Sequence, residues 1–439
     1  MTRRDAVLCK FREYEKETES RVALGVEQNR KGQIKIRVTD ENGAPVKGAR
    51  VEVRLKKHEF LYGANLFMLD ELETEEKNGL YKKLFSEGFN AATLPFYWDA
   101  LEPEKGKPRF DKDSKKIYRR PAPDLCLEFC EENNITPRGH CLTYVNFTPS
   151  WLSVDDIPEY RRCLEKRYKE IAERYSDRIH SWDVINELYC TEADRGAYFE
   201  SDDILKDSFD LAERYFRPNE LTINEATENV WGNGHFAYNR SGYYLMIEKA
   251  KREGLRIDCV GMQCHAFVKK ENESSLTRSI YDPKRLFAVL DRYEKLGLPI
   301  LITEVTIPCY SASEEDQAIQ AEILTRLYEI WFSHKAVEGA IYWNLVDGYA
   351  AFAPLGDMTA GENYYYGGLV DFDFNPKPSY IAIKKLFTEK WTTNEAVMTD
   401  ANGIAELRGF YGQYEITVNG TTVSAEHSSS RRTNIKITV

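Results

Sequence analysis

Two runs decide the reading: Ile179-His-Ser-Trp-Asp-Val-Ile-Asn-Glu187 and Pro299-Ile-Leu-Ile-Thr-Glu304-Val-Thr306. Each is apolar for about the length of a strand and then delivers a glutamate where a buried strand opens into a loop. Six further short apolar runs share that character: Phe60 to Leu66, Phe89 to Leu94, Ile135 to Leu142, Leu221 to Asn224, Cys259 to Cys264 and Val337 to Leu345. Amphipathic segments separate them. Tyr160, Leu164, Tyr168, Ile171 and Tyr175 fall on one helix face, and Ser313 with Asp316 opens a second helix whose stripe is Ile319, Ile323, Leu327 and Ile330. Strands alternating with helices over residues 59–390 predict an α/β fold, a (β/α)8 TIM barrel. A doubly wound sheet would need a glycine-rich phosphate loop after its first strand, and Gly63-Ala-Asn-Leu66 is not one.

The flanks read differently. Residues 1–58 are expected to be an N-terminal β accessory segment, in which Ile34, Ile36 and Val38 alternate with polar residues, Asp40-Glu-Asn-Gly43 turns, and Val51, Val53 and Leu55 alternate again. Residues 391–439 are a second such segment, with Tyr414, Ile416 and Val418 alternating ahead of an Asn419-Gly420 hairpin. A barrel brings its two ends near one another, so both segments are expected to join in one small β-sandwich-like accessory unit.

The 439 residues are 42% hydrophobic and 30% charged, with a formal net charge of −11, which argues against nucleic acid as a partner. No run approaches the roughly 18 apolar residues of a membrane span. Nine scattered cysteines without zinc-site spacing read as free thiols in a reducing compartment. The N-terminus shows no apolar core of signal-peptide length, so a cytoplasmic address is expected; a secreted chain with its leader removed would read the same way. His140 and His265 are accompanied by no His-x-His or His-Glu-x-x-His, so no metal is expected, and no cofactor is implied. The oligomeric state is not legible in the residues.

Two carboxyl groups on strands far apart in sequence, brought to one barrel mouth, are the parts needed to cleave a glycosidic bond with retention: one acid, one nucleophile. Asn-Glu alone is a common dipeptide, and Asn224-Glu225 reads as a chance occurrence. The conjunction is more specific. Trp182-Asp-Val-Ile-Asn186-Glu187, Ile302-Thr-Glu304, Arg138-Gly-His140, Gly261-Met-Gln263-Cys-His265, Tyr342-Trp343 with Asp347, and Gly368-Leu-Val-Asp371 leading to Lys377-Pro378 occur in that family's order and together resemble glycoside hydrolase family 10, the retaining β-1,4-xylanases.

That resemblance implies Glu304 as nucleophile, Glu187 as acid/base, and Asn186 as donor to the sugar 2-hydroxyl. It implies that His265 orients Glu304, that Gln263 and His140 line the subsite before the cleaved bond, and that Trp343 is its floor. Three departures stand beside it. Where family xylanases carry Glu-Asn-x-x-Lys-Trp to hold sugars on the non-reducing side, this chain has Thr93-Leu-Pro-Phe-Tyr97-Trp98, keeping only Trp98 and placing Tyr97 at the lysine. Tyr144-Val145 stands where Trp-His is usual, and Ala350-Ala351 where a second aromatic is usual, with Tyr349 or Phe352 as substitutes.

The expected function is therefore a retaining glycoside hydrolase acting on β-glycosidic bonds of xylan-type or related plant oligosaccharides and glycosides, with non-standard specificity. The alternatives are an ordinary endo-β-1,4-xylanase and a barrel that binds carbohydrate without turnover.

Overall fold

The computed structural model describes residues 2–190, 196–232 and 240–439. Two helices, α1 (Arg3–Glu13) and α2 (Glu15–Asn29), precede strands β1 (Lys31–Thr39) and β2 (Arg50–His58). Eight strands then alternate with helices: β3 (Leu61–Asn65), β4 (Ala91–Pro95), β5 (Thr136–Thr143), β6 (Ser181–Asn186), β7 (Glu220–Glu225), β8 (Cys259–His265), β9 (Ile300–Thr306) and β10 (Val337–Tyr342). They form a closed barrel in chain order, every neighbour parallel, with β10 paired to β3. Helices cover the outside, which is why these strands are apolar on both faces rather than alternating.

The surrounding helices follow the stripes in the sequence. Ile157–Tyr175 buries Tyr160, Leu164, Tyr168, Ile171 and Tyr175. Glu314–Ser333 is capped by the Ser313 hydroxyl, which accepts from the Asp316 amide at 3.2 Å, and buries Ile319, Ile323, Leu327 and Ile330. Asp347 and Lys377 are a buried ion pair that pins the loop after β10, so this part of the sequence motif carries structure. Among the described residues no helix is long and apolar enough to cross a membrane.

The accessory unit is built from both ends of the chain. The C-terminal strands are β11 (Asn394–Met398), β12 (Ile404–Phe410), β13 (Gly412–Val418), β14 (Thr421–His427) and β15 (Thr433–Thr438). One sheet has the order β12-β1-β15 and the other β11-β2-β13-β14. Each N-terminal strand lies between two C-terminal ones. Ile34, Ile36, Val38, Val51, Val53, Leu407, Tyr414, Ile416, Val418 and Ile437 fill the space between the sheets. Asn419 and Gly420 have φ of 48° and 86°, as a two-residue type I′ hairpin requires.

The β reading of residues 1–58 holds only from Lys31 onward. The helices α1 and α2 span residues 3–29 and lie on the barrel: Val7, Leu8 and Phe11 are buried, and the Arg3 guanidinium donates to Glu273 and Asp316, each at 2.7 Å. The apolar stripe is narrow and embedded in charge, so periodicity conceals a helix that tertiary contact stabilises.

Because β2 runs through Glu59 and Phe60 into β3, the sandwich sits at the N-terminal end of the barrel. An aromatic seam joins the two, with Phe332 stacked on Trp391 at 4.0 Å and packed near Phe387 and Phe410. Ile416 is fully buried between the sheets. Replacing it by alanine should lower unfolding stability by about 3 kcal/mol, measured as a shift of the urea midpoint at unchanged m-value.

Candidate active site

Parallel closure directs the C-terminal ends of all eight strands to one mouth. There a cleft of about 370 Å³ is lined by residues that include Phe67, Tyr97, His140, Asn186, Glu187, Gln263, His265, Glu304 and Trp343. A larger cavity of about 540 Å³ at the opposite end, along the aromatic seam, touches neither glutamate.

Glu304 lies on β9 and is 3% exposed. Its Oε1 accepts from Asn224 Nδ2 at 2.9 Å and from Gln263 Nε2 at 3.1 Å, and its Oε2 faces His265 Nε2 at 3.2 Å. The Thr306 hydroxyl meets His265 Nδ1 at 2.9 Å, and burial keeps that imidazole below its ordinary pKa. A neutral ring that takes the threonine proton at Nδ1 presents Nε2–H to the carboxylate. Burial pushes the Glu304 carboxyl up to about 8; the charges of Glu187 and Asp183 add to this, while His140 and the Asn224 hydrogen bond oppose it.

Glu187 follows β6 with φ of 51°, in the left-handed region, and its amide bonds the Asn224 carbonyl at 3.0 Å. Its Oε2 accepts from the Tyr144 hydroxyl and its Oε1 from Gln263 Nε2 at 2.7 Å. Gln263 therefore bridges the two carboxyl groups. Their nearest oxygens can be no farther apart than those two hydrogen bonds laid end to end, less than the roughly 6.5–9.5 Å of an inverting pair.

Under this pair lies a polar network. His140 is wholly buried, with Nδ1 at 2.7 Å from Asp183 Oδ2 and Nε2 at 3.1 Å from the Tyr97 hydroxyl. Burial alone would raise the Asp183 carboxyl, but the Arg138 guanidinium and His140 outweigh it and hold it below the usual range. Trp343 stands edge-on to Phe67, His140 and His265, with centroids 5.1, 5.5 and 6.1 Å away.

Asn186, Glu187, His140, Gln263, His265, Glu304, Trp343 and Tyr97 thus converge on one cleft. Trp98 does not. It begins the short helix Trp98–Leu101, its ring packs against Trp151 and Tyr160, and its indole N–H donates to Glu102 at 3.1 Å. Thr93 lies inside the barrel beside Arg138 and Leu94 in the core, so of the altered positions after the second barrel strand only Tyr97 reaches the cleft. Phe352, 83% exposed at the mouth, takes the place of the second aromatic, whereas Tyr349 packs against Phe372.

The dipeptide Asn224-Glu225 is not incidental. Asn224 Nδ2 also donates to Asn186 Oδ1 at 2.7 Å, and Asn224 Oδ1 accepts from Thr303 at 2.6 Å. Glu225, pushed up to about 7 by burial, accepts from the Tyr189 and Ala226 amides beneath the turn that follows Glu187. The signal lay in register: Asn224 pairs with Asn186 on the adjoining strand. Tyr144, at the position of an expected tryptophan, contacts Glu187 directly. Groups with metal-type donors, Glu220 with Cys259 and Glu338, and Asp291 with Glu294 and His334, lie outside the cleft lining.

A (β/α)8 barrel with two facing carboxyl groups at its C-terminal mouth defines a glycoside hydrolase. Residues 57–386 match the model of glycosyl hydrolase family 10, and the chain belongs to that family. It is 27% identical over 347 residues to Endo-1,4-beta-xylanase B of Thermotoga neapolitana, covering 75% of this chain and 88% of that protein. It is 26% identical over 411 residues to Anti-sigma-I factor RsgI6 of Acetivibrio thermocellus, covering 90% of this chain but only 45% of the relative. The structure of native xylanase 10B from Thermotoga maritima superposes with a TM-score of 0.57 at 25% identity, covering 76% of this chain and 96% of that one.

Two outcomes are expected. Asn224→Ala, which removes a donor from both Glu304 and Asn186, should lower kcat on an aryl β-xyloside about 100-fold with little change in KM. Glu304 binds its proton more tightly folded than unfolded, so its contribution to stability is complete below about 4.5 and is lost as pH rises through about 8. Between pH 6 and 9, Glu304→Gln should therefore lose less stability than the parent, by on the order of 3 kcal/mol in urea denaturation.

Proposed function

We propose that the protein hydrolyses β-glycosidic bonds of xylan-type or related plant oligosaccharides and glycosides by double displacement, with net retention. The observation that carries this reading is the Gln263 amide held between Glu187 and Glu304.

In the first step Glu304 Oε attacks the anomeric carbon while Glu187 gives its proton to the departing glycosidic oxygen. Three donors, from Asn224, Gln263 and His265, converge on Glu304 and favour its anionic form against the burial that raises its proton affinity. The Glu304–sugar ester then forms, its charge disappears, and Glu187 as a carboxylate removes a proton from water. Water attacks the same carbon from the face that the aglycone left, the ester bond to Glu304 breaks and Glu304 leaves as a carboxylate, so the product keeps the β configuration. Asn186 donates toward the sugar 2-hydroxyl with its orientation set by Asn224, and Trp343 supplies the apolar floor.

The specificity is proposed to differ from that of an ordinary xylanase. Tyr97 puts an aromatic ring into the cleft lining at the position of a sugar-holding lysine in the family pattern, and a site that loses hydroxyl-binding groups loses the discrimination they provide. The likeness to proteins named endo-1,4-β-xylanases supports a second reading, internal cleavage of linear xylan. Mixed short oligomers from linear xylan would favour that reading, and turnover confined to short or aryl glycosides the first.

The test of mechanism is proton NMR of the first-formed product, expected to be the β anomer; initial α product would overturn the double displacement. Glu304→Gln should reduce turnover at least 1000-fold on every substrate. Glu187→Gln should spare formation of the glycosyl-enzyme only for substrates with a good leaving group, and added azide should then restore turnover as the β-glycosyl azide.

A further inference from the structure

Two arginines stand in the cleft that the mechanism above does not use. Arg119 and Arg120 end the long loop between the helices Trp98–Leu101 and Pro123–Glu132, and both line the cleft. The Arg120 guanidinium lies over the Tyr97 ring, 3.8 Å from its centroid, with the rings of Phe67 and Phe147 at 5.3 and 5.8 Å. Its hydrogen bond to protein runs from Nη1 to the Arg119 carbonyl at 2.9 Å, and among the described residues it forms no ion pair. Arg119 is 5% exposed; one of its terminal nitrogens donates to the Tyr349 carbonyl, and its Nε has no partner. Glu362, the carboxylate whose charge bears on Arg119, is engaged with Asn344 Nδ2 and the Ala351 amide instead.

This wall is held in place. Arg109, itself buried, donates to the carbonyls of Ala100, Lys115 and Arg120 at 2.8, 2.7 and 3.2 Å, which fixes the loop and the Arg120 backbone. The charge of Arg120 is not committed to the acid pair, because the ionic groups that act most on Glu304 are His140, Glu187 and Asp183. The carboxyl that the Arg120 charge bears on is that of Asp99, which accepts from the Ala100 amide at 2.6 Å and does not pair with the guanidinium. A planar guanidinium fixed on an aromatic face in the cleft lining, without an ion-pair partner among the described residues, matches a carboxylate in geometry and charge. Tyr97 connects this wall to His140, which the family resemblance sets at the subsite before the cleaved bond.

Resting on the glycosidase reading, we propose that Arg120, backed by Arg119, is a subsite for the carboxylate of a uronic acid on the non-reducing side of the scissile bond. The preferred substrates are then acidic oligosaccharides or glycosides. The uronic acid is either the terminal sugar itself or a branch on it, and both present the same carboxylate to the guanidinium.

The test is calorimetric titration of the Glu304→Gln protein with xylotriose, with xylotriose carrying a glucuronosyl branch, and with xylobiose ending in a β-glucuronosyl residue. At least one acidic ligand should bind about 30-fold tighter than xylotriose at 50 mM salt, with a smaller advantage at 500 mM. The ligand that gains separates branch from terminus. Arg120→Met in the same background should erase the advantage, and Arg120→Lys should recover part of it, which a misfolded loop would not. Equal binding of neutral and acidic ligands, or an advantage that survives Arg120→Met, overturns the acidic subsite. Hydrolysis of neutral xylooligosaccharides by the parent protein in that event leaves the glycosidase reading standing. Failure of the parent to cleave any of the three, with none bound by the variant, removes both.

Discussion

A carboxyl group cannot be buried without compensation, and Glu304 shows how four strands are tied together to provide it. Isolated, an ionised carboxylate in such a site would cost several kcal/mol. Here β7 supplies Asn224, β8 supplies Gln263 and His265, and β9 supplies the glutamate. Asn224 continues to Asn186 on β6, and Gln263 reaches Glu187 just beyond it. The groups that satisfy one buried carboxyl are therefore the groups that orient the second carboxyl and Asn186. Moving any of these strands relative to its neighbour would leave a buried polar atom without its partner.

The opposite wall is organised by a second buried charge. Asp183 is held between Arg138 and His140, and His140 meets the Tyr97 hydroxyl. That chain runs from the barrel interior to the rim, and Tyr97 in turn carries Arg120 on its face. Of the changes from the usual family pattern, Tyr97 and Tyr144 lie at this rim, while Thr93 lies beneath it against Arg138 and Leu94 lies in the core. Tyr97 and Tyr144 replace expected polar or aromatic groups and still hydrogen bond to the machinery, one to His140 and one to Glu187. Glu187 and Glu304 thus keep their hydrogen-bond partners while residues at the rim differ from the family pattern.

The accessory sandwich acts at a distance from this chemistry. It interleaves strands from both termini, so neither end can form a complete sheet alone, and it seals the N-terminal end of the barrel through Phe332, Phe387, Trp391 and Phe410. The two N-terminal helices extend this support along Glu314–Ser333. Stability functions collect at this end of a barrel because the loops at the other are given over to the ligand.

Local pattern was enough for much of this. Apolar runs ending in carboxylates, helix stripes at a spacing of three and four, and the Asn419-Gly420 turn depend on neighbours in the chain, and they mark the eight barrel strands, β1, β2 and β13 of the accessory unit, Glu187 and Glu304. The helices before Lys31 escaped because their narrow apolar face becomes stable only against the barrel. Trp98 was misplaced because a motif states which residue is present and not which way a ring turns at the start of a short helix. Asn224, Tyr144, Arg119 and Arg120 could be valued only in three dimensions, since each acts on residues from another strand or loop. The sequence by itself determined the barrel and its two carboxyl groups, because periodicity and strand ends are local properties. Only the tertiary structure decided what surrounds those carboxyls, because closure of the sheet chooses which distant side chains share one low-dielectric cleft.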